Sequence, residues 1–112
     1  MPIFERGDIV AVPFPYVDHP VLENRPALVV ARNLGPNDTL LWVLMITSAT
    51  NASWPGDVPI STPQATSGLR AGSIIRTAKI ATVETRVARV IGKLSAGNLR
   101  LVEAMLRSAL DA

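Results

Sequence analysis

Short runs of apolar and β-branched residues, broken by turn-forming clusters, fill most of the chain, and helical spacing appears only near its end. Residues 8–14 (Asp-Ile-Val-Ala-Val-Pro-Phe) are mostly apolar, are closed by Pro13 and Pro15, and predict a first strand. Residues 16–24 are polar, contain Pro20 and read as a loop, and residues 26–31 predict a short second strand. Leu34-Gly35-Pro36-Asn37-Asp38 is a dense turn signal. Residues 39–47 then predict a longer strand buried on both faces, with Trp42 in its core. Residues 48–56 are loop-like, 57–60 a short strand, and 61–72, rich in Ser, Thr, Gly and Pro, a loop. Residues 73–94 are β-branched throughout and predict two strands that break near Glu84-Thr85. Ser95 suits an N-cap, because its hydroxyl can accept an orphan backbone N–H. Beyond it Leu99, Val102, Met105, Leu106, Ala109 and Leu110 fall on one face of an amphipathic helix, with Arg100, Glu103, Arg107 and Asp111 on the other. Five or six strands and one C-terminal helix predict a mainly β fold, a small, strongly bent antiparallel sheet or partly open barrel with the helix packed on it.

A chain of 112 residues predicts one domain over residues 1–112, and an apolar fraction of 48% suffices for its core. The absence of cysteine excludes disulfides, cysteine-based zinc sites and a thiol nucleophile, and fits a cytoplasmic protein. Residues 1–6 have no apolar core of a signal peptide, and the longest apolar run, 40–46, is too short to span a bilayer, so no membrane partner is expected. One histidine and scattered carboxylates offer no ordinary ligand spacing, so neither a metal nor another cofactor is expected. The charge is uneven. Residues 1–69 hold three basic groups against six acids, whereas residues 70–93 hold six basic groups against Glu84 alone. An arginine-rich segment suits phosphate, because the guanidinium fork matches two phosphate oxygens; a solvated strand face with salt bridges would have the same composition.

Five pieces of sequence, in order, resemble the MazF/PemK toxin family. Arg6-Gly7-Asp8-Ile9-Val10-Ala11-Val12-Pro13-Phe14 resembles its first strand, and Asn24-Arg25-Pro26-Ala27-Leu28-Val29-Val30 its "RPALVV" strand. Met45-Ile46-Thr47-Ser48 is similar to its "ITS" segment, Ser73-Ile74-Ile75-Arg76 with Lys79-Ile80-Ala81-Thr82-Val83 to its "SVVRCDQ-RTV" stretch, and Ile91-Gly92-Lys93-Leu94-Ser95 to its "IGRLS" lead-in to the helix. The resemblance implies an SH3-like barrel, a homodimer, and single-stranded RNA bound along the dimer groove. It implies metal-independent cleavage leaving a 2′,3′-cyclic phosphate and a 5′-hydroxyl, and a cognate antitoxin that blocks the groove. The chain departs from the family at Ala78, where an aspartate often stands two residues after the arginine matching Arg76.

Cleavage of RNA by its own 2′-hydroxyl needs a base, a cation against the phosphorane charge, and a donor for the leaving oxygen. Arg25 matches the family's catalytic arginine and suits the charge-stabilising role; paired with Glu23 it would instead be a surface residue. Thr47 matches the catalytic threonine and would position the phosphate or the 2′-hydroxyl, with Ser48 beside it offering the same chemistry. His19 is the only histidine, and its unperturbed pKa suits a base at neutral pH. Arg76 would bind phosphate or add a second stabilising charge, with a structural strand arginine as the alternative. Arg70, Lys79, Arg86 and Arg89 are candidates for RNA backbone contacts, and Trp54 and Tyr16 for stacking on bases. Two other readings remain at this stage: a CcdB-like gyrase poison of the same fold, which needs no Arg25–Thr47 pair, and a non-catalytic RNA- or antitoxin-binding member, which Ala78 keeps open.

Overall fold

Strand pairing, more than local composition, sets where the strands begin and end. The computed structural model describes residues 3–15, 22–60, 69 and 72–111. Its elements are β1 (Asp8–Pro15), β2 (Leu22–Leu34), β3 (Leu40–Ser48), β4 (Asp57–Ile60), β5 (Ser73–Glu84), β6 (Arg89–Lys93) and α1 (Ala96–Leu110). They form one six-stranded antiparallel sheet in the order β4-β5-β3-β2-β1-β6, with no pairing between β4 and β6 that would close it into a barrel. The predicted strands near residues 8–14 and 57–60 and the break at Glu84-Thr85 are all present, the break as a short 3₁₀ turn over Thr85–Val87.

β2 is longer than its composition suggests. It starts at Leu22 rather than residue 26, because Pro15, Phe14 and Pro13 of β1 pair with Leu22, Glu23 and Asn24. A partner strand thus orders a stretch that reads as loop. At its other end β2 runs on to Leu34 through two register shifts against β3, with Asn33 in the left-handed region, which asparagine tolerates better than most residues.

Alternation along the strands divides the core between the two faces of the sheet. Ile9, Leu28, Leu44, Ile46 and Ile75 gather on one face with Val102 of the helix. Val10, Val12, Ala27, Val29, Val43 and Met45 gather on the other with Phe4. The helix starts as predicted, with the Ser95 hydroxyl accepting from the Asn98 N–H at 3.3 Å. Its buried stripe is narrower than predicted. Val102 is buried and Leu99 and Leu106 pack on the core, but Met105, Ala109 and Leu110 are exposed, Leu110 to 85%. Met105 stands roughly 60° round the helix from Val102, and among the described residues nothing covers the last turn.

Trp42 is also not a core residue, since 47% of its surface is exposed. The helix packs against β4 and β5, and β4 pairs only with Ser73–Arg76 of β5. Trp42 pairs with Thr82, towards the other end of β5, where Thr82 and Ile80 are exposed as well. The predicted two-faced burial of β3 therefore holds for residues 43–46 and fails at Trp42.

The first strand is also tied to the last. Asp8 pairs with Lys93 and Ile9 with Gly92, and the Leu94 N–H donates to the Gly7 carbonyl at 2.9 Å.

Candidate functional site

Register brings Arg25 and Thr47 together. Ala27 of β2 pairs with Met45 of β3, so two residues back along β2 and two forward along β3 places Arg25 level with Thr47 on the same face. Both line two adjoining hollows, which meet at Arg25, Ile46 and Thr47. The smaller, of about 260 Å³, is below the usual ~300–1,000 Å³ of a small-molecule site. Its neighbour, of about 600 Å³, extends it past Ser48, Ser73 and Arg89. Together they make an open groove, a shape that suits an extended chain.

Arg76, Lys79 and Trp54 line the smaller hollow with Arg25 and Thr47. In a regular strand Arg76 and Lys79, three apart, would point to opposite faces. A bulge lets both reach the hollow. Between the pairs Leu44–Ile80 and Ile46–Ile75, two residues of advance on β3 match five on β5. Residues 76–79 fill that bulge, and Ala78 stands exposed within it.

The loop between β3 and β4 forms the hollow's outer wall. Trp54-Pro55-Gly56-Asp57 closes as a turn in which the Asp57 N–H donates to the Trp54 carbonyl at 3.2 Å. Proline second and glycine third are the residues this turn favours, and Gly56 has a φ of +88°. The Asp57 carboxylate accepts from the Trp54 N–H at 2.9 Å, and the Thr77 hydroxyl donates to the Gly56 carbonyl at 2.7 Å. Arg76 is 6% exposed. It donates through Nη2 to the Ala52 carbonyl at 2.6 Å, and its guanidinium lies 4.0 Å from the centre of the Trp54 ring. That ring is 44% exposed, so one part backs onto Arg76 while another faces solvent.

Of the residues expected from sequence, Arg25, Thr47, Arg76, Lys79, Ser48 and Trp54 line this groove, and Arg89 joins them. Arg86 does not. It pairs with Glu84 at 2.5 Å and borders a separate hollow with Phe4, Arg32 and Leu41, because the sheet places the end of β5 far from Arg76. His19, Arg70 and Tyr16 lie outside the described residues. Asn51 was not foreseen. Its Nδ2 donates to the Thr47 hydroxyl oxygen at 2.5 Å, and an isolated loop asparagine carries no sequence signal for that contact. Asn24 also borders the groove. Among the described residues, every charged side chain lining the two hollows is an arginine or lysine, so this lining favours an anion. Among the described residues, no three His, Cys, Asp or Glu side chains gather as metal ligands, and no helix is long and apolar enough to cross a membrane.

The same fold occurs in solved structures. MazF from Deinococcus radiodurans is 20% identical, with a TM-score of 0.73 and full coverage of both chains. The toxin MazF-mt6 of Mycobacterium tuberculosis is 24% identical over 93% of this chain and 96% of its own, with a TM-score of 0.69. An endoribonuclease from a mycobacterial species, solved in complex with its cognate antitoxin, is 15% identical over 95% and 93% of the two chains, with a TM-score of 0.70. At these identities the likeness speaks for the fold. No curated protein matches the chain. The model of the PemK-like, MazF-like toxins of type II toxin–antitoxin systems matches residues 5–110, and the chain belongs to that family.

Proposed function

We propose that this toxin is an endoribonuclease that cuts single-stranded RNA in the Arg25–Thr47 groove. The observation that carries the reading is the meeting of those two side chains, in register on neighbouring strands, in a groove whose charged lining among the described residues is cationic. The RNA's own 2′-hydroxyl attacks the adjacent phosphorus as it loses its proton, and the bond to the 5′ oxygen breaks as that oxygen is protonated. The products are a 2′,3′-cyclic phosphate and a 5′-hydroxyl. The substrate carries its own nucleophile, so the reaction needs no metal-bound water and no cofactor. Arg25 supplies the fixed positive charge against the phosphorane, a charge made effective by its preorganised place on β2. His19 is the candidate proton carrier. Trp54, half-exposed on a guanidinium, offers a ring on which a base can stack.

Of the parts its sequence position leaves open, Arg76 takes the structural one beside a supporting charge. Its hydrogen bond and its ring contact are both made to the loop, so it holds the groove's wall and reinforces the field, while Lys79 and Arg89 meet the RNA backbone. Family membership and the antitoxin-bound neighbour support control by a cognate antitoxin, action in the cytoplasm as a homodimer, and a single domain.

The test is incubation of the purified protein with end-labelled single-stranded RNA in excess EDTA. Discrete fragments ending in cyclic phosphate are expected. Cleavage that disappears in EDTA and returns with magnesium would refute the mechanism. Binding without any cleavage would make the chain the non-catalytic member that Ala78 allows.

A further inference from the structure

We infer that Asn51 is a positioning residue that fixes the direction of the Thr47 hydroxyl, making Thr47 a hydrogen-bond donor to a phosphate oxygen in the groove. The inference rests on the nuclease reading above and settles what Thr47 does within it.

A threonine hydroxyl has one proton to give and lone pairs that accept. Either use is open to Thr47 by sequence: it can donate to the phosphate, or accept the proton of a 2′-hydroxyl. The geometry chooses. Asn51 Nδ2 donates to Thr47 Oγ1 at 2.5 Å, which occupies an acceptor position of that oxygen and turns the hydroxyl proton away from Asn51. The cationic groups lining the hollow beside it, Arg25, Arg76 and Lys79, can only donate. Among the described residues, the charged side chains lining this hollow offer that proton no acceptor, and an anionic phosphate oxygen brought in by a ligand supplies one. Thr47 and Arg25 then donate to the same phosphate, a charge-assisted pair of contacts.

Asn51 is held for this task. β3 ends at Ser48, and the chain turns back at once, with the Asn51 N–H donating to the Ser48 carbonyl at 3.1 Å. The Ser48 hydroxyl accepts from the Thr50 N–H at 3.2 Å and shares a hydrogen bond with the Thr50 hydroxyl at 2.8 Å. The Ala49 N–H bonds to the Gly72 carbonyl. A turn bonded at each of these residues points the Asn51 amide back at Thr47 without a further ordering step, which is how a supporting residue holds a reacting geometry.

Asn51→Asp tests the polarity with little change of shape. A carboxylate only accepts, so it draws the Thr47 proton out of the groove and sets a negative charge beside the phosphate. Asn51→Ala merely releases the hydroxyl. Single-turnover cleavage at saturating protein should fall about 3- to 10-fold for Asn51→Ala, the worth of one hydrogen bond, and about 100-fold for Asn51→Asp, the scale of a lost transition-state donor. In a Thr47→Ala background, Asn51→Ala should change nothing further, because its effect passes through Thr47. The same four-protein cycle is read in affinity for a 2′-deoxy oligonucleotide, which binds and cannot be cut. Equal rates for Asn51→Asp and Asn51→Ala, or effects of Asn51→Ala and Thr47→Ala that multiply independently, overturn the inference. A parent that binds the 2′-deoxy oligonucleotide but leaves RNA whole removes the nuclease reading instead, and the cycle is then decided on affinity. A parent that binds neither overturns both.

Discussion

Replacing Arg76 by alanine removes three things at once: a charged hydrogen bond to the Ala52 carbonyl, a cation held over the Trp54 ring, and the buried stem that carries them. A hydrogen bond to a charged group contributes about 1.5–3 kcal/mol. The ring contact adds about 0.5–1 kcal/mol, the lower part of its range, because Trp54 is half-exposed. Against these stands the desolvation of a guanidinium that is 6% exposed, which its removal relieves. The balance is a loss of ~2–3 kcal/mol. At about 4 °C per kcal/mol for a chain of this size, Tm should fall by roughly 8–12 °C. Thermal and urea unfolding followed by tryptophan fluorescence measure it, and Trp54 should also become more accessible to a soluble quencher before the global transition. Arg76→Lys keeps the charge and loses the planar fork, so it should recover only part of the loss. If Arg76 instead touched only RNA phosphates, Arg76→Ala would leave Tm unchanged and flatten the salt dependence of binding. A Tm within about 2 °C of the parent, which corresponds to less than ~0.5 kcal/mol, would refute the anchoring argument.

Arg25→Lys should leave Tm near that of the parent and lower single-turnover cleavage by about 10²–10³, with a much smaller change in RNA affinity; cleavage at close to the parental rate would remove Arg25 from the chemistry. Lys79→Ala and Arg89→Ala should each weaken RNA binding for all sequences and reduce the slope of log affinity against log salt by about one, whereas Arg86→Ala, across the sheet, should leave that slope alone. Ser95→Ala should destabilise the fold by about 1 kcal/mol through loss of the helix cap, read by urea unfolding, with the cleavage rate of the remaining folded protein unchanged.

The parts legible in the sequence are those fixed by local chemistry. An apolar run closed by Pro13 and Pro15 marked the strand near residues 8–14, β-branched residues marked those after residue 73, and a serine before a three-and-four spacing marked the helix start at Ser95. What was not legible depends on partners. The residues Leu22, Glu23 and Asn24 look like loop until β1 lies beside them. Trp42 is apolar enough for a core, but its exposure depends on which end of the sheet the helix covers. The site divides in the same way. Arg25 and Thr47 were found by likeness to a family, and their adjacency follows from a register that no window of sequence contains. Lys79 shares a hollow with Arg76 only because β5 bulges. Asn51 gave no signal at all, and Arg86 was drawn in by charge alone.

The pairing of β1 with β6 has a consequence in time. The first strand lies between β2 and β6, so one of its edges stays open until residues 89–93 have been made. Such a sheet is dominated by contacts between distant parts of the chain, and topologies of that kind fold slowly because loops must close before contacts reward the closure. The groove draws Arg25 from β2, Thr47 from β3, Arg76 from β5 and Arg89 from β6. A growing chain on the ribosome therefore carries no finished groove at any intermediate length. The groove can be complete only after synthesis has passed the last strand.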